Sequence, residues 1–431
     1  MAAMPKGYAR YALGVMVAIN FLNYMDRYIP TAVSPIIQKE FHLSLTQVGL
    51  LATAFLLVYA LTAVPFGFWA DRGIRKNVIA IGIAIWSVAT VMTAFVGNFA
   101  QLFLTRAVVG IGEASYYPAG TSLLADHFPK ASRARAMSIW NAGTAVGIAV
   151  GFVGAGIIAE KTSWRVAFLV AAVPGLILAV MAWRMREPLR GAAEERGPQV
   201  EVLKAATLRT FAGLLRIRSL LVAVLAQTLL FWVLGANVTF LPIFLTQRFA
   251  VSPGTASTIS GGVIVVGGLA GTLVGGWLAD RRNRVSPRGN FEVPIVGFVL
   301  AAVFIALALL APTLTLFVPC FLLSVVFIYF YSGPLTAIGQ NVVHPGLRAS
   351  AVTMLLLVGH LFGDSWSPTA VGALADSIGS LRNALLITSP TVMLGAAAVA
   401  AWGLSSISSD TQRMEDDWAA QSPGSAAAPI G

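Results

Sequence analysis

Apolar stretches of about 17–25 residues follow one another along the whole chain, each long enough to cross a lipid bilayer as a helix. Twelve can be read, at approximately Tyr11–Val33, Gln47–Ala70, Val78–Val96, Gln101–Leu124, Arg135–Ala159, Val166–Met185, Leu220–Thr246, Ala256–Ala279, Val293–Ala311, Leu314–Val342, Ala349–Ala375 and Ala384–Leu404. Strand-type alternation is absent, so a barrel is not expected. Charged residues make up 11% of the chain and hydrophobic residues 57%. A soluble domain carries roughly 25% charged residues, and a chain of 431 residues could not wet its surface with so few. The expected fold class is an all-α membrane protein with twelve transmembrane helices.

The net charge of +11 suggests a polyanion partner until its distribution is read. With both termini on one side, 22 of the 29 lysines and arginines fall on that side, five on the other, and Arg27 and Arg106 inside helices. Basic residues gather on the cytoplasmic side of membrane proteins. Both termini are therefore expected in the cytoplasm, and no nucleic-acid partner is needed. The start, MAAMPKGYAR, is too short and polar to read as a cleaved signal. Cys320 is the only cysteine, which excludes an intrachain disulfide.

One run of residues occurs twice. GFWADRGIRK spans Gly67–Lys76, and GGWLADRRNR spans Gly275–Arg284, so Gly67 and Gly276 stand about half the chain apart. HFPKASRARAM, from His127, and HPGLRASAV, from His344, are spaced similarly. Two parallel repeats of six helices follow. The reading places one six-helix bundle at 1–185, a polar cytoplasmic linker at 186–219, a second bundle at 220–404 and a disordered cytoplasmic tail at 405–431. Within the linker, Val200–Leu215 reads either as a solvated segment or as a short helix on the membrane surface.

This architecture resembles the major facilitator superfamily. The first repeat resembles that superfamily's loop signature through Gly67, Asp71, Arg72, Gly73, Arg75 and Lys76, with slightly altered spacing at its end. The second copy keeps Gly276, Asp280 and Arg281. Helix 5 carries Gly143, Gly147 and Gly151 at intervals of four, a flat face for close helix packing.

Four ionisable residues lie inside apolar segments of the first half: Asp26, Arg27, Arg106 and Glu113. A charge at the bilayer centre costs about 2.5–3.5 kcal/mol on insertion scales, so it persists where it is paired, wetted or used. Arg106 and Glu113 are seven positions apart and share one helix face, two turns apart. Asp26 and Arg27 point about 100° apart, so at least one should face the cavity. One reading makes the four a structural ion-pair network, with Arg106–Glu113 a candidate pair. The other makes Asp26 and Glu113 proton carriers, with Arg27 and Arg106 holding conjugate bases or an anionic substrate.

FLNYMDRYIP at Phe21–Pro30 resembles helix 1 of Spinster transporters, and RAVVGIGEASYYP at Arg106–Pro118 resembles their helix 4. Gly363, Asp364, Ser367 and Pro368 resemble their Gly-Asp-x-x-Ser-Pro element, and Asn341, Pro345 and Arg348 fit the segment before it. The Asn-Tyr-x-Asp-Arg element also occurs in anion:cation symporters of sugar acids. Resemblance to Spinster implies a proton-coupled secondary transporter that works by alternating access on lysophospholipids, sphingosine 1-phosphate or related amphiphiles. Arg27 and Arg106 then suit a phosphate head group. Tyr116, Tyr117, Phe231 and Trp232 are candidate cavity walls, and Asn237 and Asp364 candidate polar contacts. A small organic anion such as a sugar acid is the alternative cargo, and a non-transporting lipid receptor or scramblase the alternative class.

No catalytic constellation or phosphate-binding Gly-x-x-x-x-Gly-Lys loop is present, so no enzyme activity and no cofactor are expected. His42, His127, His344 and His360 have no metal-ligand spacing, and no metal site is expected. His360, one turn before Asp364, reads as a packed helix residue. The expected partners are a lysolipid or similar amphiphilic anion, protons and membrane lipids, for a monomer in a bacterial inner membrane.

Overall fold

The structure is a computed structural model and describes residues 6–191, 193, 212–286, 288–344 and 347–421. Among them the regular elements are helices. In the first half these are α1 (Lys6–Ala32), α2 (Ser34–Glu40), α3 (Leu45–Arg72), α4 (Arg75–Thr93), α5 (Phe99–Ala114), α6 (Tyr116–His127), α7 (Lys130–Lys161) and α8 (Trp164–Arg184). The second half holds α9 (Arg218–Phe249), α10 (Pro253–Asn283), α11 (Gly289–Leu310), α12 (Leu314–Ile328), α13 (Ser332–Asn341), α14 (Arg348–Gly359), α15 (Ser367–Ile378), α16 (Leu381–Gly403) and α17 (Ile407–Gln421). Among the described residues, nine helical segments are long and apolar enough to span a bilayer unaided, counting α12–α13 as one. The remaining three expected crossings are α1, which carries Asp26 and Arg27, and the interrupted pairs α5–α6 and α14–α15.

The interruptions are the main local departure from the sequence reading. The fourth crossing breaks at Ser115, whose hydroxyl turns back onto the Gly112 carbonyl at 2.8 Å. The tenth tightens into a 3₁₀ turn at Tyr329–Tyr331. The eleventh widens into a π turn at His360–Asp364, a distortion often found at functional sites. Continuous hydropathy hides all three. By contrast, α15 stops where its chemistry says it should: Gly379 takes the left-handed conformation, φ 69°, that ends a helix without a Cβ clash.

The chain forms two compact units. The first comprises 1–199, 235–265 and 365–384, and the second 200–234, 266–364 and 385–431. They cut across the two sequence halves, because ends of α9, α10 and α15 pack with first-half helices. Within the first unit, glycines set the helix spacing. A Cβ on Gly151 of α7 would lie 2.6 Å from the Met25 carbonyl oxygen of α1, and one on Gly110 of α5 would lie 2.5 Å from that of Phe55 on α3. The glycine face of helix 5 is therefore a packing surface. Trp86, Trp140, Trp164, Phe152 and Phe168 fill the interior between these helices. In the second unit, Phe231 of α9 lies against Gly359 and Gly363, and Gln227 donates to the Leu355 carbonyl at 3.1 Å.

Two boundary expectations change. The tail expected to be disordered from Ser405 instead forms α17, Ile407–Gln421. Ile407 is fully buried, and Asp410 accepts from the Ser219 amide at 2.9 Å and the Ser219 hydroxyl at 2.7 Å. One apolar anchor and one capping carboxylate thus hold a polar helix that composition alone would leave free; residues 422–431 lie outside the described residues. In the linker, Glu187 accepts from the Lys76 amide at 3.0 Å and Arg190 donates to the Ala70 carbonyl at 2.7 Å, so its first residues are fixed beneath the α3–α4 turn. Most of the surface-helix segment, 200–211, lies outside the described residues.

Candidate functional site

Three helices of the first unit assemble the charged cluster. On α1, Asn23 and Asp26 are three residues apart and share a face; both are buried. Asp26 accepts from the Thr90 hydroxyl of α4 at 2.6 Å through Oδ2. Its Oδ1, like Nδ2 of Asn23, has no hydrogen-bond partner among the described residues. Arg27, one step further round α1, turns to α5 instead. Its Nε and Nη2 donate to Oε2 of Glu113 at 3.1 and 2.9 Å. The Glu113 side chain is fully buried and that of Arg27 is 18% exposed.

Arg106 does not pair with Glu113; the close pair joins the first and fourth crossings through Arg27 instead. Two turns of helix separate Arg106 from Glu113 by about 10.5 Å of rise, too far for side chains on one face to meet. Arg106 is 2% exposed and lies over the Phe168 ring at 5.6 Å. It is within Coulomb reach of Asp26 and Glu113, yet its Nε and Nη2 have no hydrogen-bond partner among the described residues. The result is a buried set of two carboxyls and two guanidiniums with one close ion pair and several unengaged polar atoms. Buried polar groups are normally satisfied, so this set is the candidate functional site of the first unit.

Three aromatic rings surround Arg27. Its guanidinium carbon lies 5.1 Å from the Tyr24 ring centre, 5.2 Å from Phe55 and 5.0 Å from Tyr59. Sequence reading placed Tyr24 in the Asn-Tyr-x-Asp-Arg element without giving it a role, and missed Phe55, Tyr59 and Thr90. Phe55 and Tyr59 stand four apart on α3, a spacing that could signal a shared face, but nothing in the chain tells which side chain they meet.

The other sequence candidates separate. Tyr116 is 2% exposed, donates to the Met16 carbonyl at 2.8 Å and accepts from the Trp140 indole at 2.5 Å. It packs the interior of the first unit, where the sequence suggested a cavity wall. Tyr117 is 44% exposed and stacks on Trp140. Asn237 is buried in the first unit. Phe231, Trp232 and Asp364 belong to the second unit. There the π turn brings His360 Nδ1 to 2.8 Å from Asp364 Oδ2, with the Phe231 ring 4.8 Å from the His360 ring. Trp232 Nε1 and Asp364 Oδ1 are buried without a hydrogen-bond partner among the described residues. His360 is thus part of a polar constellation, where the sequence suggested simple packing.

Arg75 of the loop signature is fully buried. It pairs with Asp126, with Glu187 at 2.7 Å, and donates to the Ser122 and Pro188 carbonyls at 3.1 and 3.0 Å. Every direction of its fork is taken, as a structural anchor requires. No group of three or more potential metal ligands occurs among the described residues.

The chain matches the family model of the Major Facilitator Superfamily over residues 16–368. It is 30% identical to Protein spinster homolog 1 of Xenopus tropicalis over 381 residues, covering 84% of this chain and 72% of that protein. It is 32% identical to Protein spinster homolog 3 of Danio rerio, covering 85% and 77%. The sphingosine-1-phosphate transporter SPNS2 of Xenopus tropicalis is 27% identical, with 85% and 74% covered. Among solved structures, a bacterial homolog to the human lysosomal transporter Spinster, inward-facing and unoccupied, superposes with a TM-score of 0.80 at 24% identity, covering 96% of this chain and 99% of that one. The last similarity speaks to fold, and the fold agrees with the twelve crossings read from the sequence. The chain is a multi-pass membrane transporter that belongs to the Major Facilitator Superfamily and, within it, to the Spinster family.

Proposed function

We propose that this chain couples proton movement to transport of an amphiphilic anionic lipid, of the lysophospholipid or sphingosine-phosphate type, by alternating access of two six-helix bundles, 1–185 and 220–404. The observation that carries the reading is the buried Arg27–Glu113 pair beside Arg106, whose Nε and Nη2 are unengaged. Glu113 and Asp26 carry the protons. Protonation of Glu113 removes the negative partner of Arg27 and weakens its hold. Arg27 and Arg106 then receive the anionic head group, for which the planar guanidinium fork is suited. Loss of cargo and proton restores the ion pair, so an empty carrier does not retain an unpaired buried charge. Tyr117, Phe231, Trp232, Asn237 and Asp364 contribute to cargo contact. A relative named as a sphingosine-1-phosphate transporter supports this chemical class. The carrier is placed in a bacterial inner membrane with both termini cytoplasmic.

The test is uptake of labelled lysophosphatidic acid into proteoliposomes holding the full chain, with and without an imposed proton gradient. Gradient-driven accumulation is expected, and Asp26→Asn and Glu113→Gln should abolish the gradient dependence while the variants still fold. Competition by glucuronate with no effect of lysolipid would transfer the assignment to a sugar-acid symporter. Lipid equilibration indifferent to the gradient would favour a scramblase. Unchanged accumulation and pH dependence in both variants would overturn the proton assignment.

A further inference from the structure

Two arginines of the first unit, the buried Arg75 and the half-buried Arg27, make ion pairs and are held in opposite ways. Arg75 is fixed by two carboxylates and two carbonyl oxygens. Arg27 has one carboxylate oxygen, three ring faces and a side-chain hydrogen bond with Tyr59. The difference is chemical. A carbonyl or carboxylate acceptor binds an N–H along a defined direction, and moving the arginine breaks that bond outright. A ring face attracts the cation through its quadrupole, over a broad area and without a fixed hydrogen-bond direction. An arginine enclosed by rings is therefore retained in a buried place yet free to slide.

We propose that Tyr24, Phe55 and Tyr59 form a three-ring clasp that positions Arg27, presenting its guanidinium to Glu113 and setting how readily it leaves. The clasp rests on the proton-coupled reading of the same site, and it adds positioning residues to which the sequence assigned no role. Its construction is specific. Tyr24 and Arg27 are three apart on α1 and share a face. Phe55 and Tyr59 are four apart on α3, with ring centres 6.1 Å apart. Gly110 brings α5 against this stretch of α3, since a Cβ there would lie 2.5 Å from the Phe55 oxygen and 3.2 Å from the Tyr59 nitrogen. Gly147 does the same for α1, a Cβ there lying 3.0 Å from that of Tyr24. Gly110 thus sets the helix that carries Glu113 directly against the two rings of α3, while α7 backs the Tyr24 stretch of α1. The ionisable groups in electrostatic reach of the pair are Tyr24 and Asp26 from α1, Tyr59 from α3 and Arg106 from α5. The rings hold Arg27 without adding a competing carboxylate, so Glu113 is the one carboxylate in direct contact with its guanidinium.

Two measurements on the full chain separate the clasp from plain packing. The first is the Arg27–Glu113 coupling, from a double-mutant cycle measured in three backgrounds: native, Tyr59→Phe and Tyr59→Leu. The clasp predicts a coupling reduced by about tenfold in Tyr59→Leu, the size of one desolvated ring–cation contact, and kept in Tyr59→Phe. The second is the pH profile of lysophosphatidic acid uptake, which should move in Tyr59→Leu and return in Tyr59→Phe. Phe55→Leu with Phe55→Tyr as its rescue repeats the comparison if Tyr59→Leu does not fold. Coupling and profile both unchanged by ring loss, or lost equally in the ring-preserving variants, would overturn the clasp. Coupling that falls only on ring loss, in a chain whose native form shows no proton-driven uptake, would keep the clasp and sink the coupling reading.

Discussion

The start of α3 is capped by a residue 330 positions further along the chain, and removing that cap tests the packing of the first unit. A helix opens with amide groups that have no partner inside it. Here the Ser44 hydroxyl accepts from the Gln47 amide at 3.2 Å, and the Gln47 side-chain oxygen accepts from the Ser44 amide at 3.0 Å. The two amides between, Leu45 and Thr46, donate to Asp376 of α15 at 3.0 and 2.8 Å, and the Thr46 hydroxyl adds a third bond at 2.5 Å. Three consecutive amides are thus satisfied by two side chains. An N-cap is worth ~0.5–2 kcal/mol, and Asp376 is solvent-exposed, so screening argues for about 1 kcal/mol. Asp376→Ala should cost that much, and Asp376→Asn roughly half, since an amide oxygen accepts without charge. Burial pushes the Asp376 carboxyl up, but the bonds from the Thr46 hydroxyl and amide and the Leu45 amide outweigh it and hold the carboxyl below its ordinary value. A group depressed in the folded state stabilises fully above its unfolded value, about pH 3.9, and loses that contribution as pH falls through the folded one. The native-minus-Asn difference should therefore stay level from about pH 5 to 8 and vanish in stronger acid. Unfolding midpoints measure the total, and hydrogen exchange at Leu45 and Thr46 reads the cap directly, with about five- to tenfold faster exchange expected in Asp376→Ala. Unchanged exchange at those two amides would refute the reasoning, whatever the midpoint does.

The remaining predictions concern the ion pair, the second unit and topology. Arg27→Ala alone should destabilise by ~3–5 kcal/mol by stranding the buried Glu113 carboxylate, and Arg27→Ala with Glu113→Leu should recover much of it, as read by a double-mutant cycle; additive costs would mean that the pair is uncoupled. Asp410→Ala leaves the buried Ser219 amide without its acceptor and should cost ~1–3 kcal/mol, seen as a lower unfolding midpoint and faster proteolysis at α17; an unchanged midpoint would show that α17 does not brace α9. Tags placed at Met1 and Gly431 should resist protease added outside intact cells, and digestion of either would overturn the proposed topology.

How far the chain could be read depended on whether an answer lay within one helix or between helices. Hydropathy gives the crossings because each is a local run of apolar residues, and the glycines at 143, 147 and 151 declare a packing face by their own spacing. The intramembrane charges declare themselves by their cost. Their partners do not. Glu113 and Arg106 share a face of α5, but two turns of rise keep them apart, and Glu113 takes Arg27 from α1, a partner no spacing within one helix could reveal. The same limit conceals Thr90, whose hydroxyl faces Asp26 from another helix, and α17, whose polar composition conceals two anchoring residues.

The exchange from Arg106 to Arg27 has a mechanistic consequence. An Arg106–Glu113 pair would lie within one rigid helix, and no movement of α1 against α5 could alter it. The observed pair joins α1 to α5, and α1 also carries Asp26, tied to α4 through Thr90. Adjacent residues of α1 are thus bound to different neighbours, one through an ion pair and one through a hydroxyl. A shift of α1 must strain both links, and protonation of either carboxyl relaxes one of them. In the proposed mechanism this arrangement would connect the chemistry of the proton to the position of a helix, a link that two charges on the same helix face could not make.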